Sequence, residues 1–236
     1  MTAGDVDSAT PPMTTAYLTV DDAPSDSLPA KVAALDARDV PALFFCEGRR
    51  LTEYPDHARA AVEAGYHLGN HAYSHEHASS LSPATFREEV AWTEALLDDV
   101  YEEAGTDRPV RTFRFPYGDD GSDDGAAHAA ALQDILAEFD FVSPDTGRIT
   151  YDWYATDHAD RRDWYWTIEV QDWTAESPAD LRERVASESV GERLDSDSAD
   201  IVLFHDAGNS LAEFEAFVDA LLDRGVEFGT PLDLVE

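Results

Sequence analysis

Short apolar runs rich in β-branched and aromatic residues alternate with longer stretches in which apolar residues recur every three or four positions. The first pattern is typical of buried strands and the second of amphipathic helices. The predicted strands are Ala16–Val20, Ala42–Cys46, His67–Asn70, Arg111–Phe115, Phe139–Ser143, Trp164–Val170, Ile201–His205 and Val226–Gly229. The predicted helices are Ser27–Arg38, Glu53–Ala64, Pro83–Glu103, Ala126–Glu138, Pro178–Ser189 and Ser210–Arg224.

Because strands and helices alternate from start to finish, the pattern predicts an α/β fold. We expect a distorted (β/α)7-8 barrel with parallel strands, in which chemistry belongs at the C-terminal strand ends. Residues 15–236 are predicted to form this single domain. Residues 1–14, rich in Thr, Ala, Asp, Ser and Pro, are predicted to be a flexible tail.

The net charge of the chain limits the classes of partner that it can bind. Fifty acidic residues stand against 16 basic ones, a formal net charge of −34, and Lys31 is the single lysine. So strong a negative field repels nucleic acid and anionic membranes, and neither partner is expected. The acids are spread over the whole chain, which favours a halophilic, archaeal surface over a docking patch for a basic partner.

The compartment is predicted from absences in the sequence. Cys46 is the single cysteine and lies in an apolar run, so we expect a buried thiol and no internal disulfide. The N-terminal residues contain neither a basic segment followed by an apolar one nor a twin arginine, and no stretch is long and apolar enough to span a membrane. These features predict a cytoplasmic protein. Its oligomeric state stays open.

Polar residues that suit metal chemistry follow two of the predicted strands. Asp21 and Asp22 end the first, and in a continuing strand the two carboxylates would point opposite ways, one to a metal and one free to act as a base. His71 and His75 follow the third at a spacing that can bring two imidazoles together. His77 is close enough to be an alternative ligand.

Three further groups stand at the ends of other predicted strands. Arg114 closes an apolar strand and needs a carboxylate partner, either at the mouth of the barrel or in a structural ion pair. The aromatic run at 164–173 ends in Asp172 and Trp173, which suits either sugar stacking or core packing. His205 follows a buried run, and Asp172 could hold its imidazole as a proton donor.

In this order, the five clusters resemble the motifs of the polysaccharide deacetylases of carbohydrate esterase family four, also called the nodulation-factor deacetylase homology domain. The matching segments are TVDDAP (19–24), HAYSH (71–75), RFPY (114–117), DW (172–173) and LFH (203–205). The resemblance covers about residues 16–235 and implies a distorted barrel that removes acetyl groups from N- or O-acetylated sugars.

The resemblance also implies a role for each residue at the centre. Asp22, His71 and His75 would bind a divalent metal, with Zn²⁺ expected and Co²⁺ or Ni²⁺ as alternatives. Asp21 would be the catalytic base, and Arg114 would orient it.

The remaining assignments concern the substrate side of the centre. His205 would be the general acid, tuned by Asp172. The backbone N–H of Tyr117 would stabilise the oxyanion, and Trp173 and Leu203 would wall the acetyl pocket.

The chain departs from the family pattern at three positions. Ala23 replaces a glycine, Ala72 replaces a serine or threonine that would brace the loop of His71, and Phe115 stands where many members have proline. None of these positions is a ligand or a proton-transfer group, so we expect activity to survive with altered substrate access. Two alternatives stay open: a hydrolase of small amides or cyclic imides on the same barrel, and an inactive carbohydrate-binding protein.

Overall fold

The computed structural model describes residues 15–235. The tail predicted over residues 1–14 lies outside the described residues.

A parallel sheet forms the centre of the molecule. Its strands are β1 (Thr15–Ala23), β2 (Ala42–Cys46), β3 (His67–Asn70), β4 (Asp200–His205) and the short β5 (Glu227–Phe228). The strand order is β3-β2-β1-β4, and β5 pairs with the first two residues of β1. The prediction of an α/β fold with parallel strands is confirmed.

Nine α-helices connect and cover the strands among the described residues. They are α1 (Leu28–Asp36), α2 (Gly48–Glu53), α3 (Pro55–Glu63), α4 (Pro83–Ala104), α5 (Ala126–Glu138), α6 (Asp152–His158), α7 (Pro178–Val185), α8 (Glu188–Leu194) and α9 (Leu211–Asp223). None of the helices in the described part of the chain is long and apolar enough to cross a membrane.

Strand alternation divides the core into two layers. On β1, Leu18 and Val20 pack with the large cluster that also contains α9 residues such as Phe217. Tyr17 faces the other side and packs with Phe45 of β2 and with Trp164. Thr19 and Asp21 share this second face, which is how a polar group at the end of the strand reaches the interior.

Three predicted strands are wrong. The segments 111–115 and 164–170 each make a single bridge to the sheet, from Phe113 to β3 and from Ile168 to β4. The segment 139–143 is not a strand, although Val142 N donates a hydrogen bond to the carbonyl of Arg111 at 3.0 Å. The segment around Ile168 makes only one bridge to β4 because the neighbouring Thr167 hydroxyl accepts the Ile201 N–H at 2.9 Å in place of a backbone carbonyl.

The predicted helices agree with the structure better than the predicted strands do. Helix α5 has the predicted bounds, whereas the helix predicted over Pro178–Ser189 is two helices, α7 and α8, that divide at residues 186–187. Two short helices, α2 and α6, were not predicted, because six or seven residues give too few turns for a clear period.

Candidate functional site

The carboxyl ends of β1, β3 and β4 meet at one edge of the sheet and deliver polar groups to a common cleft. Asp21 and Asp22 both line this cleft, so the expectation that their side chains diverge is wrong. The pairing register of β1 with β2 shifts between Val20 and Ala23, and Asp22 has a left-handed φ of 59°. This irregularity breaks strand alternation and turns the second carboxylate toward the first.

A tightly held loop after β3 carries the two histidines. Ala72 and His75 both have left-handed φ values, 57° and 59°, which a free chain rarely adopts. The buried carboxylate of Glu89 on α4 holds the loop: its Oε2 accepts hydrogen bonds from Tyr73 N at 3.0 Å, Ser74 N at 2.6 Å and Ser74 Oγ at 2.8 Å. The chain thus braces the loop from α4 although residue 72 has no hydroxyl.

Three potential ligand atoms converge beside this loop. Asp22 Oδ1 lies 3.0 Å from His75 Nε2 and 3.6 Å from His71 Nε2, and the ligand atoms of the three residues lie within 4.8 Å of one another. Nδ1 of His71 lies 2.8 Å from the carbonyl of Arg114, so it is the protonated nitrogen and Nε2 presents its lone pair.

The donor set fits a divalent cation. Asp22 Oδ1 is buried without a well-formed hydrogen bond to any described residue, although two imidazoles stand beside it. Two histidine nitrogens and one carboxylate oxygen are a usual ligand set of Zn²⁺, and Co²⁺ and Ni²⁺ accept similar donors.

The charges of the three groups are coupled. Burial lowers the pKa of His71, which favours the neutral, ligating form. Burial acts the same way on His75, but Asp22 outweighs it and raises the pKa of His75. For Asp22, burial alone would raise the pKa, yet His75 and His71 hold it well below the usual carboxylate range.

Arg114 is fully buried and contacts residues on the second face of the sheet. Its Nη1 donates to Asp21 Oδ1 at 2.8 Å and to Thr19 Oγ1 at 2.8 Å. The guanidinium lies over the ring of Phe45, 4.4 Å from the centroid. Because Oδ1 of Asp21 is engaged in this way, Oδ2 faces His71, 3.7 Å from its Nε2.

His205 faces the same cleft from the end of β4. Its Nδ1 lies 3.0 Å from Oδ1 of the buried Asp172, and its backbone N–H donates to Asp172 Oδ2 at 2.9 Å. Burial lowers the pKa of His205, but the hydrogen bond and charge of Asp172, with the charges of Asp21 and Asp22, raise it to about 9. Asn209 donates to Asp172 Oδ2 at 2.7 Å, and no local pattern in the sequence singles it out.

The cleft has a volume of about 560 Å³. Tyr117, Trp173 and Leu203 stand in its wall, and the indole of Trp173 lies edge-on to His205 with centroids 5.0 Å apart. Trp166 and Glu169 also line the cleft, and neither was singled out from the sequence.

The structure brings all ten predicted site residues to this cleft or into direct contact with its lining. His77, the alternative ligand, lies elsewhere. The ring of His77 is exposed, pairs with Asp119 at 3.2 Å and stacks on Tyr117 outside the ligand cluster.

The cleft of this α/β protein combines three candidate metal ligands, a buried carboxylate and a histidine held by a second carboxylate. Such a combination of groups suits the catalysis of hydrolysis. The polysaccharide deacetylase model matches residues 8–136, more than half of the chain. The chain therefore belongs to the polysaccharide deacetylase family. Asp172 and His205 lie beyond the matched region, so their place in the cleft is evidence independent of that match.

Curated relatives are similar at moderate identity. The chain is 29% identical over 149 residues to a chitooligosaccharide deacetylase of Bradyrhizobium, covering 63% of this chain and 58% of that protein. It is 26% identical over 148 residues to chitin deacetylase 1 of Cryptococcus neoformans, covering 63% of this chain and 28% of that protein. The chain thus spans less than two thirds of the length of these relatives.

Solved structures share the fold. A family 4 carbohydrate esterase from Streptomyces lividans, in complex with acetate, matches with a TM-score of 0.66 and 24% identity over 92% of both chains. A family 4 pseudoenzyme from Bacillus anthracis matches with a TM-score of 0.67 and 24% identity, covering 96% of this chain and 67% of that one.

Proposed function

We propose that this protein is a metal-dependent deacetylase that hydrolyses N- or O-acetyl groups of sugars. The observation that carries the proposal is the single cleft in which Asp21 and His205 stand beside the cluster of Asp22, His71 and His75. Family membership supplies the substrate class, since curated relatives are named for deacetylating chitin, chitooligosaccharides and the N-acetylglucosamine of peptidoglycan.

Asp22, His71 and His75 would hold the cation. When bound, Zn²⁺ or a similar ion supplies Lewis-acid polarisation of the acetyl carbonyl and lowers the pKa of a nearby water. The hydrogen bond from Nδ1 of His71 to the Arg114 carbonyl orients the ring for this task.

Asp21 is the base in this proposal. Arg114 occupies Oδ1, which leaves Oδ2 on the side of the candidate metal cluster to take the proton of the attacking water. A hydrogen-bonded guanidinium also fixes the carboxylate in one orientation, so little reorganisation is needed when the water reacts.

His205 is the proton donor to the leaving amine or alkoxide. Its Nδ1 is held by Asp172, so the free Nε2–H is the group that can face the cleft. A pKa of about 9 keeps the imidazole protonated at neutral pH, as a general acid requires before bond cleavage.

Residues that line the cleft would enclose the acetyl group and stabilise the oxyanion. Trp173 and Leu203 would enclose the acetyl methyl group, and the backbone N–H of Tyr117 would donate to the developing oxyanion. Tyr117 has a left-handed φ of 61°, an unusual conformation that sets the direction of the peptide plane beside the cleft.

An inactive carbohydrate-binding protein is the second candidate, because a family 4 pseudoenzyme is among the structural neighbours. A binding protein has no need for a base, an acid and a ligand cluster together. The presence of Asp21, His205 and the three ligands in one cleft favours the enzyme.

Hydrolysis of three substrate classes in high salt tests the proposal: acetate release from N-acetylglucosamine oligomers and from acetylated xylan, and ring opening of cyclic imides. Zn²⁺-loaded protein should release acetate from a sugar substrate and lose this activity on chelation. Opening of cyclic imides without acetate release would assign the small-amide alternative. Oligomer binding without turnover under every metal tried would assign the binding protein.

A further inference from the structure

The single lysine of the chain lies where the ends of two strands meet. Lys31 belongs to α1, and its side chain and that of Asp206 are both fully buried. Lys31 Nζ donates to Asp206 Oδ1 at 2.8 Å and to the carbonyl of the same residue at 2.5 Å. All other Lys or Arg positions of the chain are arginines. An ammonium group has three donors on a compact head, so it can bond two oxygens of one residue in a small space.

Asp206 binds both ends of the turn that carries Asp22. Its N–H donates to the carbonyl of Asp21 at 2.8 Å, before the turn. After the turn, its carboxylate accepts the Ser25 N–H at 2.6 Å and the Ser25 hydroxyl at 2.9 Å. Asp22 has its left-handed φ of 59° between these two anchors. The hydrogen bonds of Asp206 therefore hold a backbone conformation that a free chain rarely adopts.

The same residue joins the base to the proton donor of the proposed mechanism. Asp21 and His205 are register partners on the adjacent strands β1 and β4. The hydrogen bond from the Asp206 N–H to the Asp21 carbonyl belongs to this pairing, at the point where the two strands end. The His205 backbone is held as well, because its N–H donates to Asp172 and its carbonyl accepts from Asn209 Nδ2 at 3.1 Å. Main-chain hydrogen bonds thus set the separation of the base and the proton donor.

We propose that Lys31 and Asp206 form a positioning pair that keeps the base, the proton donor and the ligand Asp22 in their relative places. The inference rests on the proposed function for the roles of Asp21 and His205. In the described part of the chain, neither member of the pair lines the cleft, so the pair acts through the backbone. Small displacements of catalytic groups are costly, and this makes the size of the lysine head group important.

Lys31→Arg tests the size of the head group while keeping its charge. A guanidinium is planar and wider than an ammonium, so at a fully buried position it should displace Asp206. Leu221→Ala is the control for a loss of stability alone. Leu221 is fully buried in the large core cluster and lies in the last turn of α9, where its carbonyl accepts from Val226 N. Because α9 returns the chain to the start of β5, this position is at the edge of the sheet opposite the cleft.

A double variant separates positioning from stability. Lys31→Met combined with Asp206→Asn buries no charge, so it should recover most of the melting temperature that Lys31→Met alone loses. It supplies no donor to the carbonyl of residue 206, so the strand ends stay without this anchor.

Two properties are measured in high salt below the melting transition. They are Zn²⁺ affinity, by chelator competition, and kcat and KM for acetate release from an N-acetylglucosamine oligomer at saturating Zn²⁺. We expect Lys31→Arg and the double variant each to bind Zn²⁺ about tenfold more weakly than the parent. Their kcat should fall about tenfold with KM within about twofold of the parent value, because the displaced groups act on the reacting atoms. Leu221→Ala should match the parent in both properties despite a lower melting temperature.

The positioning role is overturned if Lys31→Arg and the double variant bind Zn²⁺ and turn over as Leu221→Ala does, since the ion pair would then serve stability alone. If Lys31→Arg does not fold, the double variant decides the comparison. Absence of acetate release by the parent from every sugar is a different outcome. It removes the proposed function, and the Zn²⁺ affinities then decide whether the pair positions Asp22.

Discussion

Asp172→Asn tests the assignment of His205 as a proton donor. The side chain of His205 is 17% exposed, and its pKa rises from 6.5 to about 9, with Asp172 the largest cause that raises it. Each pKa unit corresponds to about 1.4 kcal/mol, so the environment stabilises the imidazolium by about 3 kcal/mol. Asn keeps an acceptor for the His205 N–H groups but removes the charge.

The sign of the effect depends on pH. A group whose pKa is higher in the folded state stabilises the fold fully below its unfolded pKa of 6.5, and this contribution disappears as the pH rises through 9. We therefore expect metal-free Asp172→Asn to be less stable than the parent by up to about 3 kcal/mol at pH 6, with a melting temperature lower by roughly 6–12 °C. At pH 10 the deficit should vanish.

The assay combines thermal melts at pH 6 and pH 10 with an NMR titration of the His205 ring in metal-free protein at constant high salt. The pKa of His205 should fall toward 6.5 in the variant. Asp99→Asn, at an exposed position of α4, controls for the loss of one negative charge. An equal stability deficit at both pH values, with the pKa of His205 unchanged, would refute the coupling between Asp172 and His205.

Three further predictions concern the loop that carries the histidines, a buried ion pair and the net charge of the chain. Glu89→Ala removes the acceptor of three loop hydrogen bonds and should weaken Zn²⁺ binding about 10–100-fold in a chelator competition, whereas the exposed neighbour Glu88→Ala should not. Lys31→Met leaves the buried Asp206 carboxylate without its cation, so melts should show a loss of about 3–5 kcal/mol in the free energy of unfolding. The control is Arg59→Met, which breaks an exposed ion pair worth at most about 1 kcal/mol. An equal loss for the two variants would show that the buried pair does not stabilise the fold. Dialysis from molar salt into low-salt buffer should unfold the protein because self-repulsion at a net charge of −34 is then unscreened, and an unchanged circular dichroism spectrum would contradict the halophilic interpretation.

The sequence predicts the parts of the fold that depend on periodicity. Strand β2 and helix α5 have the expected bounds because their apolar pattern is unambiguous. The segments at 111–115 and 164–170 have equally strong strand composition, yet they make single bridges. In the second segment, the Thr167 hydroxyl accepts the Ile201 N–H in place of a backbone carbonyl, and such a bond leaves no periodic trace in the sequence.

The candidate site divides in a similar way. His71 and His75 could be singled out because their spacing has a chemical meaning, and both line the cleft. Glu89 and Glu169 could not, because a single carboxylate among 50 acidic residues carries no local signal. The left-handed Asp22, which brings both carboxylates of the first strand into one cleft, depends on a register shift that strand alternation does not predict.

In the proposed mechanism, Asp21 acts as a base on a water beside the cluster of Asp22, His71 and His75, to which Asp21 itself does not belong. The most direct measurement is acetate release from an N-acetylglucosamine oligomer by Asp21→Asn, with bound Zn²⁺ quantified in the same sample. We expect metal content equal to that of the parent and a loss of turnover of at least about 100-fold, the usual contribution of a general base. Near-parental acetate release with metal bound would contradict it.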